Sequence, residues 1–335
     1  MASTSHNMKN NNDFLVLDGD SVEQLLDFES GKAAVKRTYL EHAAGNTNLP
    51  HSVFLRPSED SRIIGLPASF NGDTASPISG IKWVSSYPKN TANGFPRASA
   101  VILLNDYHTG YPICCMNASK INLFRTAASA YLVAETLSHR REPRKLGIIG
   151  CGEITKSFID CHQAFDGIPF LEIKLYDLDR LKSEAMAKHI NAKVSILDDP
   201  NELIKSSDVI LLATTASKPY INDCNLLSHS PIILNLSLRD IHPDLILAST
   251  NIVDDLGHVN RELTSIHLTS SMVGNTDFVT GTVAGLLRKS FSVSSGKSII
   301  FSPFGLGILD IAIAQEVFEK AKTKGFGTTI KNFIN

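Results

Sequence analysis

The chain has 335 residues, of which 43% are hydrophobic and 20% are charged, and its formal net charge is −2. This length allows two domains with sizeable cores. The small net charge argues against nucleic acid or an anionic membrane as a partner, and no apolar run reaches the roughly 18 residues that a membrane helix needs.

The N-terminal residues of the chain and its cysteines argue against further classes of protein. Residues 1–12 are polar and rich in Asn and lack the apolar core of a secretory signal, so we expect a frayed tail and a cytoplasmic protein. The 5 cysteines and 11 histidines show neither metal-ligand spacing nor a disulfide framework, so we expect no metal.

The first third of the chain predicts a strand, two helices and then a run of strands. The first strand covers 14–17, Asp20 or Ser21 caps the helix that follows, and a second helix covers 32–44. Further strands are predicted at 51–56, 62–66, 79–85, 98–104 and 111–116. Because no crossover helices separate these strands, we predict an antiparallel or mixed sheet.

A helix over 119–137 precedes a stretch in which strands and helices alternate. We predict strands at 145–149, 171–177, 193–196, 209–213, 232–236, 252–254 and 298–301, with helices at 181–190 and 202–205. Alternation of this kind predicts a parallel sheet with right-handed crossovers. A last helix reaches about residue 322 and could return to the N-terminal domain, making that domain discontinuous.

The stretch from Lys145 to Asp177 carries the strongest motif. A strand enters the turn Gly150-Cys151-Gly152, a helix begins with Glu153 and Ile154, and the next strand ends at Asp177. This order is typical of a dinucleotide-binding βαβ unit, in which the glycines admit a pyrophosphate and the carboxylate binds a ribose diol. Asp177 would repel a 2′-phosphate, so we favour NAD over NADP; the alternative is an ordinary βα turn.

One position in this turn departs from the fingerprint. Thr155 replaces its third glycine or alanine, and we expect the replacement to loosen the packing of helix on strand.

Polar residues follow two other predicted strands of the parallel sheet. Thr214 and Thr215 follow one strand, and Ser237 to Asp240 follow the next. Ligands of open α/β sheets bind beyond the carboxyl ends of strands, so these residues could line a cofactor. Asp240 fits a proton carrier near the nicotinamide and fits a helix cap equally well.

Several cations lie in or beside apolar elements of the N-terminal domain. Lys82 lies inside an apolar strand, Arg97 precedes a strand, and Arg125 lies in a helix of small apolar residues. Arg56 ends one predicted strand and Arg62 begins the next. Because a buried charge is costly unless it is paired or meets an anion, this set favours binding of carboxylates. A lone lysine of this kind can also be an edge residue whose charge reaches water.

The chain resembles the ornithine cyclodeaminase/μ-crystallin family over residues 14–322. The resemblance is carried, besides the glycine turn, by the motifs Gly80-Ile81-Lys82-Trp83, Tyr87-Pro88-Lys89-Asn90, Thr109-Gly110-Tyr111-Pro112 and Arg125-Thr126-Ala127-Ala128. Within the family, the chain is most similar to dehydrogenases of 2,3-diaminopropionate biosynthesis. That similarity is carried by Arg97-Ala98-Ser99, Lys218-Pro219-Tyr220-Ile221, Asn235-Leu236-Ser237 and Asp240-Ile241-His242.

The resemblance implies a fold and a domain arrangement. We expect an α/β protein with a Rossmann-type NAD domain, residues 131–304, inserted in a discontinuous α+β domain. This second domain, residues 13–130 plus 305–335, would bind substrate and form a homodimer.

The resemblance also implies roles for individual residues. Arg56, Lys82 and Arg97 would bind substrate carboxylates, and Asp240 with Lys82 would be catalytic. The residues expected to bind the cofactor are Arg125, Thr126, Gly150, Gly152, Glu153, Ile154, Asp177, Thr215 and Ser237.

Departures from the cyclodeaminase pattern bear on the substrate. Gly65 stands near the place of an amine-binding glutamate, and Arg97 replaces a threonine. Both changes argue against a diamine and favour an amino acid with several carboxylates. Asp244 replaces a lysine, so the contacts near Asp240 stay open.

The implied activity is the NAD-dependent oxidative cleavage of N-(2-amino-2-carboxyethyl)-L-glutamate to L-2,3-diaminopropionate and 2-oxoglutarate, for a siderophore or an antibiotic. The alternatives are an ornithine cyclodeaminase, an imine or alanine dehydrogenase, and a non-catalytic μ-crystallin-like protein that holds a nucleotide.

Overall fold

A computed structural model describes residues 13–72, 76–138, 144–165, 167–294 and 296–334. The predicted tail, residues 1–12, lies outside this set. The strands are β1 Phe14–Leu17, β2 Thr47–Asn48, β3 Val53–Leu55, β4 Arg62–Phe70, β5 Ile78–Ser86, β6 Ala98–Asp106, β7 Pro112–Asn117, β8 Arg144–Ile149, β9 Phe170–Tyr176, β10 Val194–Ile196, β11 Val209–Leu212, β12 Ile232–Asn235, β13 Thr250–Val253, β14 Val279–Thr282, β15 Ile299–Ser302 and β16 Thr328–Ile330.

The helices alternate with these strands in the second half of the chain. They are α1 Gly19–Leu25, α2 Phe28–Ala43, α3 Ser119–Leu137, α4 Glu153–Ala164, α5 Arg180–His189, α6 Pro200–Lys205, α7 Pro243–Ala248, α8 Leu256–Val259, α9 Ser265–Val273, α10 Val283–Leu287 and α11 Gly307–Lys324. Across the described residues, every helix is too short or too polar to cross a bilayer.

The described residues group into two compact units. The first draws on Met1–Leu26, Gly45–Asn122 and Asp310–Asn335, and the second on Asp27–Ala44 and Leu123–Leu309. The second unit also includes α2 and residues 123–130 and 305–309, which the sequence prediction had assigned to the other domain. Two contacts explain this grouping: the Tyr39 hydroxyl donates to Ser129 at 3.1 Å, and the ring of Phe124 occupies the space beside Gly31.

The first unit is built on a mixed sheet of eight strands. Its order is β16-β1-β7-β6-β5-β4-β2, with β3 also on β4. Only the β1–β7 pair is parallel among the strand pairs recorded in this sheet. The antiparallel or mixed sheet predicted from the sequence is therefore confirmed.

The two faces of this sheet differ in burial. Ile102, Leu104 and Met116 point to the inner face and are at most 1% exposed. Helix α11 covers this face, since Ile311 would meet a Cβ placed on Gly80. The opposite, outer face carries apolar side chains that stay exposed, including Trp83 at 44% and Val101 at 43%. Alternation along the strands accounts for the difference.

The first unit also contains the start of α1 and the last strand of the chain, β16. The N-cap of α1 is Asp18, whose carboxylate accepts from the amide of Ser21 at 2.8 Å. The prediction that Asp20 or Ser21 caps this helix was wrong by two or three positions, because Gly19 and Asp20 already lie inside the helix. Strand β16, which was not predicted, pairs antiparallel with β1.

The second unit is built on a parallel sheet of eight strands. Its order is β10-β9-β8-β11-β12-β15-β13-β14, and all seven pairs are parallel. The predicted α/β class with a parallel sheet is confirmed. Strands β11 and β12 are buried along their whole length, so their apolar runs mark the centre of the sheet. Their carboxyl ends lead to the polar residues described below.

Candidate active site

The glycine turn between β8 and α4 has the geometry that a pyrophosphate needs. Gly150 has φ +95°, and a Cβ there would stand 2.6 Å from the carbonyl oxygen of Ala213. Gly152 is the N-cap of α4, has no side-chain cap, and has open space where a Cβ would lie. Amides at the N-terminus of a helix attract phosphate. The first turn of α4, with Glu153 and Ile154, therefore fits the predicted phosphate end of a dinucleotide.

Thr155 strengthens this turn. Its side chain is buried and its hydroxyl donates to the carbonyl of Gly150 at 2.5 Å. The expectation that Thr155 loosens the packing of helix on strand finds no support in this contact. The threonine instead ties the first turn of α4 to the glycine that precedes it.

Asp177 lies at the end of β9 and braces the same turn. Its Oδ2 accepts from the amide of Cys151 at 2.7 Å, and its Oδ1 accepts from the amide of Asp179 at 2.9 Å. A carboxylate oxygen has lone pairs for a second donor. The residue is thus placed to accept from a ribose diol while it holds the glycine turn.

The carboxyl ends of β11 and β12 bring a second polar group together. The Ser237 hydroxyl accepts from the amide of Thr214 at 2.8 Å. The Thr214 hydroxyl donates to Oδ2 of Asp240 at 2.7 Å. Thr215, the predicted cofactor residue beside Thr214, is exposed.

Asp240 is fully buried, and its two oxygens have different surroundings. Oδ2 accepts from Thr214 and, at 3.2 Å, from the hydroxyl of Tyr220. Oδ1 is buried and has no hydrogen-bond partner within the described part of the chain. Burial raises the pKa of the Asp240 carboxyl, against hydrogen bonds from Thr214, Ser237 and Tyr220 that lower it. Such a carboxyl is suited to proton transfer.

Arg125 of α3, which was predicted to bind the cofactor phosphates, packs against a glycine with a positive φ. Gly305 has φ +100°, and a Cβ there would lie 2.6 Å from Nη1 of Arg125. The amide of Gly305 donates to the buried carboxylate of Asp254 at 2.6 Å. Burial raises the pKa of Asp254, and this amide opposes the rise. Sequence reasoning missed Gly305 as a neighbour of Arg125 and Asp254 as the acceptor of the Gly305 amide. Thr126, next along α3, is half-buried.

Lys82 of the first unit is only 1% exposed, as its apolar strand suggested, and it is paired inside the protein. Its Nζ donates to Oδ2 of Asp310 at 2.6 Å and to the Asn122 side chain at 2.9 Å. The expectation that Lys82 lies at an exposed sheet edge is excluded. Asp310 is also fully buried, and the sequence did not single it out.

The arginines predicted to bind carboxylates lie at one end of the same sheet. Arg56 directly follows β3 and Arg97 directly precedes β6, and both are exposed. The register places Leu55 opposite Ile63, Ile63 opposite Ser85, and Ser85 opposite Ser99. Lys82 lies three residues before Ser85 along β5, about 10 Å away along the strand.

A metal centre has no support among the residues that the structure describes. They contain no group of three or more His, Cys, Asp or Glu side chains that could hold a metal ion.

Comparison with known proteins finds similarity along most of the chain. The sequence model of the Ornithine cyclodeaminase/mu-crystallin family matches residues 13–325. The N-((2S)-2-amino-2-carboxyethyl)-L-glutamate dehydrogenase of Staphylococcus aureus is 30% identical over 325 residues, covering 89% of this chain and 91% of that protein. The alanine dehydrogenase of Archaeoglobus fulgidus is 26% identical, covering 95% of this chain and 98% of that protein.

Solved structures show the same similarity of fold. An archaeal alanine dehydrogenase dimer with bound NAD has a TM-score of 0.85 and 25% identity, covering 95% of this chain and 99% of that one. A Thermococcus litoralis Delta(1)-pyrroline-2-carboxylate reductase in complex with NADH and L-proline has a TM-score of 0.86 at 24% identity, covering 95% and 100%.

Proposed function

This chain belongs to the ornithine cyclodeaminase/mu-crystallin family, and from that premise we propose that it cleaves N-(2-amino-2-carboxyethyl)-L-glutamate oxidatively. The products would be L-2,3-diaminopropionate, 2-oxoglutarate and NADH. The chain is an enzyme of the dehydrogenase class that uses NAD, as its relatives and the NAD-bound neighbour indicate. The substrate is the part that we propose.

The observation that carries the proposal is the state of Asp240. A buried carboxyl with one oxygen held by hydroxyls and the other without a partner among the described residues is costly unless it serves a ligand. A protein that only held a nucleotide would not require this arrangement. Similarity to a dehydrogenase of this substrate over most of the chain supports the choice of substrate.

Each group of residues has a defined task in the proposed reaction. The glycine turn and Asp177 would bind NAD, with Arg125 and Thr126 on its phosphates and Thr215 and Ser237 along its length. When bound, NAD would accept the hydride, with its electron pair, from the glutamate α-carbon, while the amine nitrogen gives up its proton as the C–N bond becomes an imine. Arg56, Lys82 and Arg97 would bind the three carboxylates, since arginine pairs with carboxylates in bidentate geometry.

The pairing of Lys82 bears on the choice of proton carrier. Asp310 and Asn122 already accept from its Nζ inside the first unit. A buried ammonium beside a buried carboxylate is stabilised as a cation, so Lys82 suits carboxylate binding better than proton transfer. We therefore assign proton transfer to Asp240. It takes a proton from the water that attacks the imine carbon, and the proton returns to nitrogen as the C–N bond breaks.

The test is NADH formation at 340 nm from the synthetic substrate. We expect steady turnover with N-(2-amino-2-carboxyethyl)-L-glutamate and a loss of roughly 10²–10⁴-fold in the chemical step for Asp240→Asn. Unchanged single-turnover hydride transfer and hydrolysis in that variant would remove Asp240 from the scheme.

The family alternatives give different products in the same assay. An alanine dehydrogenase, favoured by the 26% identical relative, would form NADH from L-alanine. A cyclodeaminase would form proline and ammonia from L-ornithine without net NADH. Absence of turnover with all of these, together with tight NAD binding, would favour a μ-crystallin-like binding protein.

We also propose a cytoplasmic homodimer that supplies a precursor of a siderophore or an antibiotic. The outer face of the first sheet is a candidate contact surface, since its apolar side chains are exposed. Its row of paired positions runs from Val53 through Gly65 and Trp83 to Val101.

A further inference from the structure

The segment around Tyr220 is joined to the segment around Asp240 by the backbone. The amides of Tyr220 and Ile221 both donate to the carbonyl of Asp240 at 3.0 Å, and the amide of His242 donates to the carbonyl of Ile221 at 2.9 Å. Ile221 and Ile241 form a parallel bridge and are buried. This ladder fixes the backbone of Tyr220 relative to that of Asp240, and the tyrosine hydroxyl reaches the Asp240 carboxylate at 3.2 Å.

The hydroxyl of Thr214 can donate in only one direction. Its oxygen accepts from the amide of Ala216 at 3.1 Å, and a hydroxyl has a single proton to give. That proton is directed to Oδ2 of Asp240 at 2.7 Å. The Tyr220 hydroxyl reaches the same oxygen, so these two donors hold Oδ2, and Oδ1 has no partner at hydrogen-bond geometry among the residues described. The Ser237 hydroxyl, which also lowers the pKa of this carboxyl, acts on it from outside that geometry.

We propose that Tyr220 and Thr214 are positioning residues that hold Oδ2 of Asp240, so that Oδ1 is the atom that exchanges the proton. This inference rests on the proposed proton transfer by Asp240. The Oδ1–H bond forms as an O–H bond of water breaks and the C–O bond to the imine carbon forms. The Oδ1–H bond breaks again as its proton passes to the departing nitrogen. The hydroxyl formed from water loses its own proton to solvent as its electron pair forms the C=O bond and the C–N bond breaks, so the carboxylate ends unchanged.

Titratable and charged side chains lie on both segments of the pair. Burial raises the pKa of Tyr220, and the charge of Asp240 adds to the rise, with a smaller contribution from Tyr176. Tyr220 therefore stays a donor at neutral pH. The Arg239 guanidinium donates to the carbonyl of Glu262 at 3.2 Å, and the His242 ring lies 3.3 Å from Asp244.

The first test compares pH profiles of kcat/KM for the wild type, Tyr220→Phe and Thr214→Val. Loss of a hydrogen bond to a charged group moves its titration by about one pH unit. Because these donors favour the ionised form, we expect the acid limb to move up by about one unit and kcat to fall about tenfold. KM for NAD should stay within about twofold.

Two conservative variants serve as controls. Thr214→Ser keeps the hydroxyl and should restore the wild-type limb. Tyr111→Phe removes a half-exposed phenol from the turn before β7 and should change nothing. An acid limb that stays in place in both Tyr220→Phe and Thr214→Val would overturn the proposal, even where the rate falls.

A second measurement does not depend on the substrate. In protein with ¹³C-labelled aspartate carboxyls and saturating NAD, Asp240→Asn identifies the Asp240 resonance. We expect the titration midpoint to rise in Tyr220→Phe and Thr214→Val, and an unmoved midpoint would overturn the proposal. If the wild type forms no NADH from N-(2-amino-2-carboxyethyl)-L-glutamate but the midpoint rises, only the substrate assignment fails.

Discussion

The buried pair of Lys82 and Asp310 defines the charge balance inside the first unit. Neither side chain is more than 1% exposed, and Asn122 adds a second acceptor for the lysine. Removing one partner of a buried pair leaves an uncompensated charge, which costs more than the intact pair contributes.

The first prediction at this scale concerns that pair. Asp310→Ala should lower the free energy of unfolding by about 3–5 kcal/mol, because Lys82 loses its counter-ion in the interior. Urea denaturation measures the change. Glu319→Ala on the same helix removes a partner of Lys322 from a pair whose side chains are more than half exposed, and it should cost about 0.5 kcal/mol or less. Equal losses for the two variants would contradict the prediction.

A second prediction at the residue scale concerns Gly305. A Cβ there would meet the far end of the Arg125 side chain, which can move, so the fold should survive Gly305→Ala. Displacement of Arg125 should weaken NAD binding about tenfold or more, as expected for a lost contact to a charged group. Calorimetric titration with NAD measures the change.

The matched control for Gly305 is Gly274→Ala. Gly274 also has a positive φ, +77°, with nothing within 4 Å of its Cβ position, so the substitution adds backbone strain without the collision. A similar loss of affinity in both variants would assign the effect to strain.

Single residues show where sequence reasoning succeeds and where it stops. Lys82 stood out because a charge inside an apolar strand requires a partner. The same reasoning applied to the apolar run around Asp310 in α11 would have found that partner, but the helix was assessed only for its apolar stripe. The close packing of Arg125 against Gly305 has no sequence signal, because residues 180 positions apart meet only in the folded chain.

At the scale of elements, long periodic segments were predicted well. Helix α3 has the predicted bounds, and most strands of both sheets were found with errors of up to four residues at their ends, whereas β2 and β16 were not predicted. Strand β14 and the helices from α7 to α10 were missed, because elements of four to nine residues repeat their period too few times to stand out, and β14 contains Gly281. Their existence depends on tertiary packing, which outweighs local preference in such segments.

The prediction at this scale concerns Asp255, the N-cap of α8. It accepts from the amide of His258 at 2.9 Å and lies 3.2 Å from His42 of α2. Hydrogen bonds from the side chains of His258 and then His42 lower the pKa of Asp255. Because folding lowers the pKa of Asp255, its ionised carboxylate stabilises the fold at pH values above its pKa in the unfolded chain, near 4. This stabilisation is lost as the pH falls toward its pKa in the folded protein.

Asp255→Asn should therefore lower Tm by about 2–6 °C at pH 6–8. The difference from wild type should shrink below about pH 4. Scanning calorimetry across this range measures it, with Asp198→Asn, an 88% exposed carboxylate, as the control. A difference that is constant with pH would contradict the assignment.

For the whole molecule, the sequence predicted the α/β class, the parallel sheet and the family, and all three are confirmed. These follow from local patterns and from motifs that persist at low identity. The substrate depends on which carboxylates and amines the site accommodates. Residues 97 and 65 indicate only that it has several carboxylates and is not a diamine. The exposed ends that hold Arg56 and Arg97 carry no pattern that specifies a ligand.

The prediction at this scale is a dimer that depends on the outer face of the first sheet. The wild type should have twice the chain mass of 36.5 kDa in light scattering after gel filtration. Trp83→Glu should shift it to the single-chain mass, because a charge in an apolar interface is left without solvent. Leu171→Glu, at a 60% exposed leucine of β9, should leave the mass unchanged, and a wild-type monomer would refute the proposal.

The pairing of β1 with β16 has a consequence for synthesis on the ribosome. The first unit needs residues from both ends of the sequence, whereas Leu123–Leu309 are nearly all that the second unit requires. Growing chains should therefore acquire a protease-resistant nucleotide-binding core before β1 finds its partner. Stalled chains that end near residue 309 should bind NAD yet leave residues 45–122 open to cleavage, and resistance of both segments at that length would contradict this order of folding.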